Sequence, residues 1–441
     1  MVPNRHTIKI SGGNMHFLAE KLNETLNGTC ARALLSDYGK RMFVPKGIIV
    51  QSTEAKAKAT KYNATIGVAL ENGTAMYIPA MKAQFAESMK AGEIFPYAPM
   101  GGVAELRKVW KEDMYRKNPL LAGKNTSLPV VVSGLTNALS LVCSLFVDIG
   151  GDVVLPDMYW ENYDLILDEQ RQATKIMFPL FDGNGFNLEG FDKAVASSGQ
   201  NVLIILNFPN NPTGYTPTDE ESDKIAAILK KHADAGKKIA LVTDDAYFGL
   251  FFDDVPCHQS LFAKVCDLSE NILGIKCDAA TKEEMVWGFR VAFITYGSKG
   301  FTDEQYDALA QKTMGALRGC LSSCALPSQN VLLKGMKDPN HDADKAAGVK
   351  KIGERYFALK KALERHKDST ALKVLPFNSG YFMSFWCKCN GEDLRRLLLD
   401  KYQTGIIRND DHHVRLAFAS VDLEKIDGLV DIVYKAAEEL V

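Results

Sequence analysis

The sequence predicts an α/β protein: a larger domain on a mostly parallel, seven-stranded sheet with helices on both faces, joined to a smaller α+β domain. Two observations predict this. From about residue 100 to 300, short apolar runs alternate with helical stretches across short gaps, the pattern of βαβ units. After about residue 345 the style changes to a long charged helical stretch, an alternating strand and a closing amphipathic helix.

The elements follow in order. Residues 1–80 hold several short elements, "PKGIIVQ" and "NATIGVALENG" among them, and are assigned with residues 346–441 to the smaller domain. Residues 81–345 form the larger domain. There "LPVVVSG" (128–134) is a strand, followed at once by the helical "TNALSLVCSLF". "DVVLP" (152–156), "NVLIILNF" (201–208), "KKIALVTDD" (237–245), "NILGIK" (271–276) and "RVAFITYG" (290–297) read as further strands, with a charged helix over 219–235. In the smaller domain the pattern predicts helices over 346–366, 393–402 and 422–440, with strands in "YFMSFWCK" and "HVRLAFAS".

Bulk properties exclude several classes. The 441 residues are 46% hydrophobic and 24% charged, as in ordinary globular proteins, and the formal net charge of −2 favours neither nucleic acid nor an anionic membrane. No apolar run has the length of a membrane span, and the first residues lack the apolar core of a secretory signal. Nine scattered cysteines read as reduced thiols of a cytoplasmic protein. Cys320 with Cys324, and Cys387 with Cys389, lack a second Cys/His pair at zinc-site spacing, so no metal is expected.

Four stretches depart from ordinary turns. "LIILNFPNNPTGY" (203–215) runs a buried strand into two prolines that stiffen the backbone, three asparagines and a releasing glycine. Strand ends of this kind are where open α/β sheets bind ligands. "SGLTNAL" (133–139) ends a strand at Gly134 and starts a helix whose first N–H groups, Leu135 and Thr136 among them, suit a phosphate; helices that start this way and bind nothing are common. "LVTDDAYFGLFF" (241–252) drives an apolar strand into two aspartates, which either need a cationic partner or cap a helix. In "ATKEEMVWGFRVAF" (280–293), Lys282 precedes Arg290 by eight residues; alone this is a charged turn. No G-x-G-x-x-G fingerprint is present, which argues against a nicotinamide oxidoreductase.

Taken together and in this order, these stretches resemble the class I/II pyridoxal-phosphate aminotransferases of fold type I, aspartate aminotransferase-like, from about Tyr97 to Arg415. The resemblance implies pyridoxal 5′-phosphate as cofactor and a role for each matching position. Lys282 would carry the cofactor covalently and act as the catalytic base. Asp244 would pair with the pyridine nitrogen, and Tyr247 and Asn211 with the ring oxygen. Arg290, Thr136, Gly134 and Leu135 would hold the phosphate. Trp160, in "LPDMYWENY", would stack on the ring and border the substrate. Arg415, with Asn211, would grip the substrate α-carboxylate. Tyr97, in "FPYAPMGG", and Ser322 would reach the phosphate of a partner subunit, implying a homodimer with shared active sites. Two positions depart from the family pattern: Ala279 replaces a donor three residues before the lysine, and Ala292 a glycine two residues after the arginine.

The implied reaction moves an amino group from an L-amino acid to a 2-oxo acid. Arg318, four residues before Ser322, resembles the arginine that binds a distal carboxylate, which favours aspartate or glutamate; the alternative is a helix-end arginine satisfying last-turn carbonyls. An aromatic or aliphatic substrate, or a lyase chemistry (C–S β-lyase or decarboxylase) on the same residues, is the runner-up. A cofactor-binding transcription sensor is disfavoured because residues 1–95 show no helix pair with a basic face.

Overall fold

The larger sheet has eight strands, and their order explains how distant stretches of the chain converge. The computed structural model describes residues 8–10, 15–27, 35, 37–42, 47–85 and 89–441. In chain order the strands are β1 (Ile8–Ile10), β2 (Val130–Val132), β3 (Asp152–Pro156), β4 (Thr174–Phe178), β5 (Asn201–Asn207), β6 (Lys238–Asp245), β7 (Ile272–Ala279) and β8 (Ala292–Gly297). Across the sheet they run β1-β4-β3-β5-β6-β7-β8-β2. Strands β4, β3, β5, β6 and β7 are mutually parallel, while β8 is antiparallel to both β7 and β2. The chain therefore leaves β2, β3, β5, β6 and β7 at one edge of the sheet and enters β8 at that same edge. The central strands are near-continuous apolar runs because helices cover both faces.

The seven strands of the expected fold are present, and β1 adds an eighth, antiparallel to β4. That pairing attaches residues 8–10 to the larger sheet, whereas the sequence pattern put all of residues 1–80 with the smaller domain. Other parts of this segment contact residues after 400. Tyr62–Asn63 pairs with Thr404–Gly405, and the helix Ile48–Lys58 exchanges hydrogen bonds with Arg408 through Gln51.

The smaller domain carries an antiparallel sheet of β9 (Leu372–Val374), β10 (Phe382–Cys387), β11 (Ile407–Arg408) and β12 (His413–Ala417), in the order β9-β10-β12-β11. Helix Ile426–Glu438 packs on Gly391–Tyr402 and on the long helix His341–Glu364, which begins earlier than its charge pattern predicts. Among the described residues no helix is long and apolar enough to cross a membrane, and no group of His, Cys, Asp and Glu could hold a metal.

Candidate active site

The site is built from the strand ends upward. At the end of β5, two of the three asparagines brace the loop and the third, Asn211, is buried against Arg415. Asn207 accepts the N–H of Asn211 at 2.7 Å and donates to the Asp244 carbonyl at 2.7 Å. Asn210 accepts from the Thr213 N–H and hydroxyl and donates to the Met158 carbonyl. Gly214, at φ +75°, lies against the backbone of β10, where any side chain would collide with the Phe382 carbonyl. Ser384 of β10 also donates to the Pro212 carbonyl at 2.9 Å. The stiff loop thus locks onto the smaller domain and frees Asn211, whose side-chain oxygen accepts from Arg415 Nη1 at 2.9 Å.

Arg415 sits on β12 opposite Ser384 and is buried. Its Nη2 donates to the Thr65 carbonyl at 2.9 Å, its guanidinium carbon lies 4.2 Å from the Phe382 ring centroid, and its Nε has no hydrogen-bond partner. Burial lowers its pKa to about 10, while Tyr247 and then Glu161 pull it back up. A buried guanidinium with an unused donor suits an incoming carboxylate.

At the end of β6, Asp244 is buried and accepts the Tyr163 hydroxyl at 2.5 Å and the Ala246 N–H at 3.1 Å. Burial raises its pKa, against the hydrogen bond from Tyr163 and the charge of Lys282. Lys282 belongs to the single turn Ala280–Glu283 that follows β7. Its ammonium lies 4.6 Å from the centroid of the Tyr247 ring, which packs edge-on to Tyr381 and Phe382. Lys282 keeps some surface open, yet burial dominates its titration: the pKa falls to about 8, with Asp244 raising it and Arg290 lowering it further. A lysine so placed has a ready supply of free amine near neutral pH.

Arg290 reaches the same edge because β8 runs antiparallel. It adopts a left-handed φ of +55° and lays its guanidinium against Gly134, where a Cβ would collide with it. Gly134, at φ +80°, caps the helix Leu135–Phe146, so the first N–H groups of Leu135 and Thr136 and the Arg290 guanidinium converge. Trp160 is half-buried and packs edge-on to Tyr163, 5.8 Å between centroids. The two alanines that depart from the family pattern prove to be one feature: Ala279 and Ala292 are buried and directly opposed across β7 and β8.

Tyr97, Arg318 and Ser322 stand apart within this chain. Tyr97 is 92% exposed. Arg318, exposed on the helix Asp303–Cys320, donates to Ser322 at 2.6 Å, and Ser322 has φ +73°. Among the described residues, no hydrogen bond or ion pair joins these three to the cluster around Lys282. The sequence pattern missed Tyr163, which lies three residues after Trp160 and just before a π-helical segment, Leu165–Gln170. It also missed Glu161, whose carboxylate accepts the Ile48 N–H at 2.8 Å and whose charge is felt by Arg415.

A cradle only glycine permits, lined by an arginine and a helix start, fits a phosphate. A buried carboxylate fits a protonated ring nitrogen, and an enclosed lysine fits an aldehyde. Residues 63–433 match the family Aminotransferase class I and II. The chain belongs to the class I and II aminotransferases, enzymes that depend on pyridoxal 5′-phosphate.

Among relatives, a probable aspartate/prephenate aminotransferase of Aquifex aeolicus (strain VF5) is 24% identical over 368 residues, 78% of this chain and 84% of the relative. A probable N-acetyl-LL-diaminopimelate aminotransferase of Bacillus subtilis (strain 168) is 24% identical over 198 residues, 45% of this chain and 47% of the relative. An aminotransferase structure from Anaerococcus prevotii superposes with a TM-score of 0.80 at 23% identity, covering 90% of this chain and 97% of that one. The Pyrococcus horikoshii kynurenine aminotransferase superposes at 0.77 and 16% identity, covering 94% and 99%. At these identities the structures share the fold, and the names of the relatives span several substrates.

Proposed function

We propose that this aminotransferase transfers the amino group of an acidic L-amino acid, aspartate or glutamate, to a 2-oxo acid, with Lys282 as the covalent anchor and proton carrier. The observation that carries the site assignment is the convergence of an enclosed lysine, a buried aspartate and an arginine–glycine cradle on one sheet edge, facing an arginine with an unused donor. The bound cofactor supplies an electron sink for charge released at the substrate Cα. Asp244 would hold the proton on the ring nitrogen, and Asn211 and Tyr247 would serve the ring oxygen. Arg290, Thr136 and the N–H groups after Gly134 hold the phosphate. Arg415 would orient the α-carboxylate, and Trp160 would cover one face of the ring. Once free, the Lys282 amine would be the base that takes the proton from the substrate Cα.

Exposed Tyr97 and Arg318, with half-buried Ser322, support a homodimer in which each subunit completes its partner's site, Arg318 taking the distal carboxylate. The aspartate-named relatives support the same substrate class. The free thiols among the described residues support a cytoplasmic setting. The test is incubation of purified enzyme and cofactor with single amino acids and 2-oxoglutarate. Formation of glutamate with the matching keto acid, fastest for aspartate, is the expected result. Release of ammonia or sulfide would replace this reading with a lyase.

A further inference from the structure

The Lys282 turn is held from behind by buried charges that no step above uses. Ala280–Glu283 is one helical turn, well below the roughly 12 residues at which an isolated helix becomes even marginal in water. Both residues after Lys282 are buried glutamates. Glu283 accepts from Lys117 at 2.5 Å and from Lys345 at 2.8 Å. Glu284 accepts from Lys345 at 2.6 Å, and its other oxygen meets His341 Nε2 at 2.7 Å. Lys117 also pairs with Asp113 at 2.6 Å, Arg116 pairs with Asp113 at 2.5 Å, and His341 Nδ1 faces Asp342 at 3.2 Å.

This network joins three elements: the helix Ala104–Lys117, the Lys282 turn, and the first turns of the helix His341–Glu364. Met285, at φ +52°, bends the chain away and packs against Gly348 of the same long helix, where a Cβ would clash with it. Further along, that helix enters the smaller domain, packing on Ile426–Glu438 and donating from Arg355 to the Ala419 carbonyl at 2.5 Å. Apolar residues of similar volume would often fill such a space with equal or greater stability, so stability alone does not account for the charges. What they add is direction. Bonds from Lys117, Lys345 and His341 fix the turn from two neighbouring helices and leave the Lys282 ammonium against the Tyr247 ring.

We propose that Glu283 and Glu284 are positioning residues: their ion network sets the reach of Lys282 and ties it to the helix that carries the smaller domain. This rests on the assignment of Lys282 to the cofactor in the reading above. The test uses the full-length protein and the variants Glu284→Gln, His341→Gln and Lys282→Ala. Two readouts are taken besides turnover: the rate at which cofactor-free protein takes up pyridoxal phosphate, followed by absorbance, and the pH midpoint of the bound cofactor's absorbance. Glu284→Gln is expected to slow uptake about tenfold or more, as a small misplacement of a reacting group does, and to move the midpoint. His341→Gln is expected to move both the same way by less, and it decides the matter if Glu284→Gln does not fold. Uptake and midpoint unchanged in the folded variants, whatever their melting temperatures, would overturn the network's role alone. A Lys282→Ala protein that keeps the wild-type absorbance change would overturn the site assignment itself, and this proposal with it.

Discussion

Asp244 and Asp245 are adjacent on β6 and both buried, yet they face opposite sides of the sheet and live in different electrostatic worlds. Asp245 forms an ion pair with the buried Lys276 and accepts the Ser260 hydroxyl at 2.6 Å. Lys276 is shared with Asp278 at 3.1 Å, which in turn accepts the Trp110 N–H at 3.0 Å. The charge of Asp245 is matched inside the protein. Asp244 receives only neutral donors, from Tyr163 and Ala246, and feels Lys282 without an ion pair to it. A carboxylate given its hydrogen bonds but no bonded cation is suited to accept one from outside, whereas a carboxylate with a resident cation is suited to hold two strands together.

Mutations can break this contrast. The largest effect is expected at the cation on the Asp244 side: Lys282→Ala should lower turnover by about 10,000-fold or more, the scale of losing a general base, in a steady-state assay. Next come the two aspartates compared directly. Asp244→Ala should cost about a thousandfold in turnover, the scale of a lost electrostatic stabiliser, with little change in urea unfolding. Asp245→Ala should lower stability by up to about 3 kcal/mol, because the buried Lys276 loses one of its two carboxylates and keeps Asp278. Similar unfolding curves for both variants would dissolve the distinction. Arg318→Ala should lower kcat/KM for aspartate by about 30-fold or more, as truncating one partner of a charge pair does, and leave alanine unaffected. Equal loss for both substrates would return Arg318 to a structural role.

Tyr163→Phe probes the neutral side more gently. Losing one hydrogen bond to a charged group is worth about 1.5–3 kcal/mol, so cofactor dissociation measured by absorbance should weaken by about tenfold or more. The smallest effect is a pH dependence at a third buried carboxylate, Glu284, whose partner itself titrates. Burial depresses the His341 pKa, but the bond to Glu284 outweighs it and the net shift is upward, with Lys345 opposing and Asp342 assisting. The stability His341 contributes is therefore full below about 6.5 and is lost as pH rises through its higher folded value. Glu284 is held down to about 2, against burial, by Lys345 and His341, so its contribution is full above about 4.5 and is lost as pH falls towards 2. Urea unfolding should show the difference between wild type and His341→Gln at its greatest between these limits and shrinking above them. Asp113, Arg116, Lys117, Glu283, Lys345 and Asp342 face the same cluster.

Much of this architecture was legible in the sequence because alternation of apolar runs with helical stretches is local. Strand direction is not: nothing in "RVAFITYG" distinguishes a parallel strand from the antiparallel β8, and it is that reversal which returns Arg290 to the edge where Gly134 lies. Strand β4, "TKIMF", is hard to see in the sequence because it opens on Thr174 and Lys175 and leaves an apolar run of three, although Lys175 is buried by pairing with Asp164 and Asp168. The asparagines of the β5 loop were readable as a group, but their division of labour depends on Met158, Asp244 and Arg415, far away in the chain. Tyr163 was hidden for the same reason, since its acceptor lies 81 residues on.

The outer strands of the larger sheet, Ile8–Ile10 and Val130–Val132, are only three residues each, and the N–H of Val131 is already taken by the Gly101 carbonyl. Long bare edges invite foreign chains to add strands and grow into fibres. Here, among the described residues, the long apolar strands of the larger sheet lie behind two short outer strands, which give a neighbour little backbone to extend.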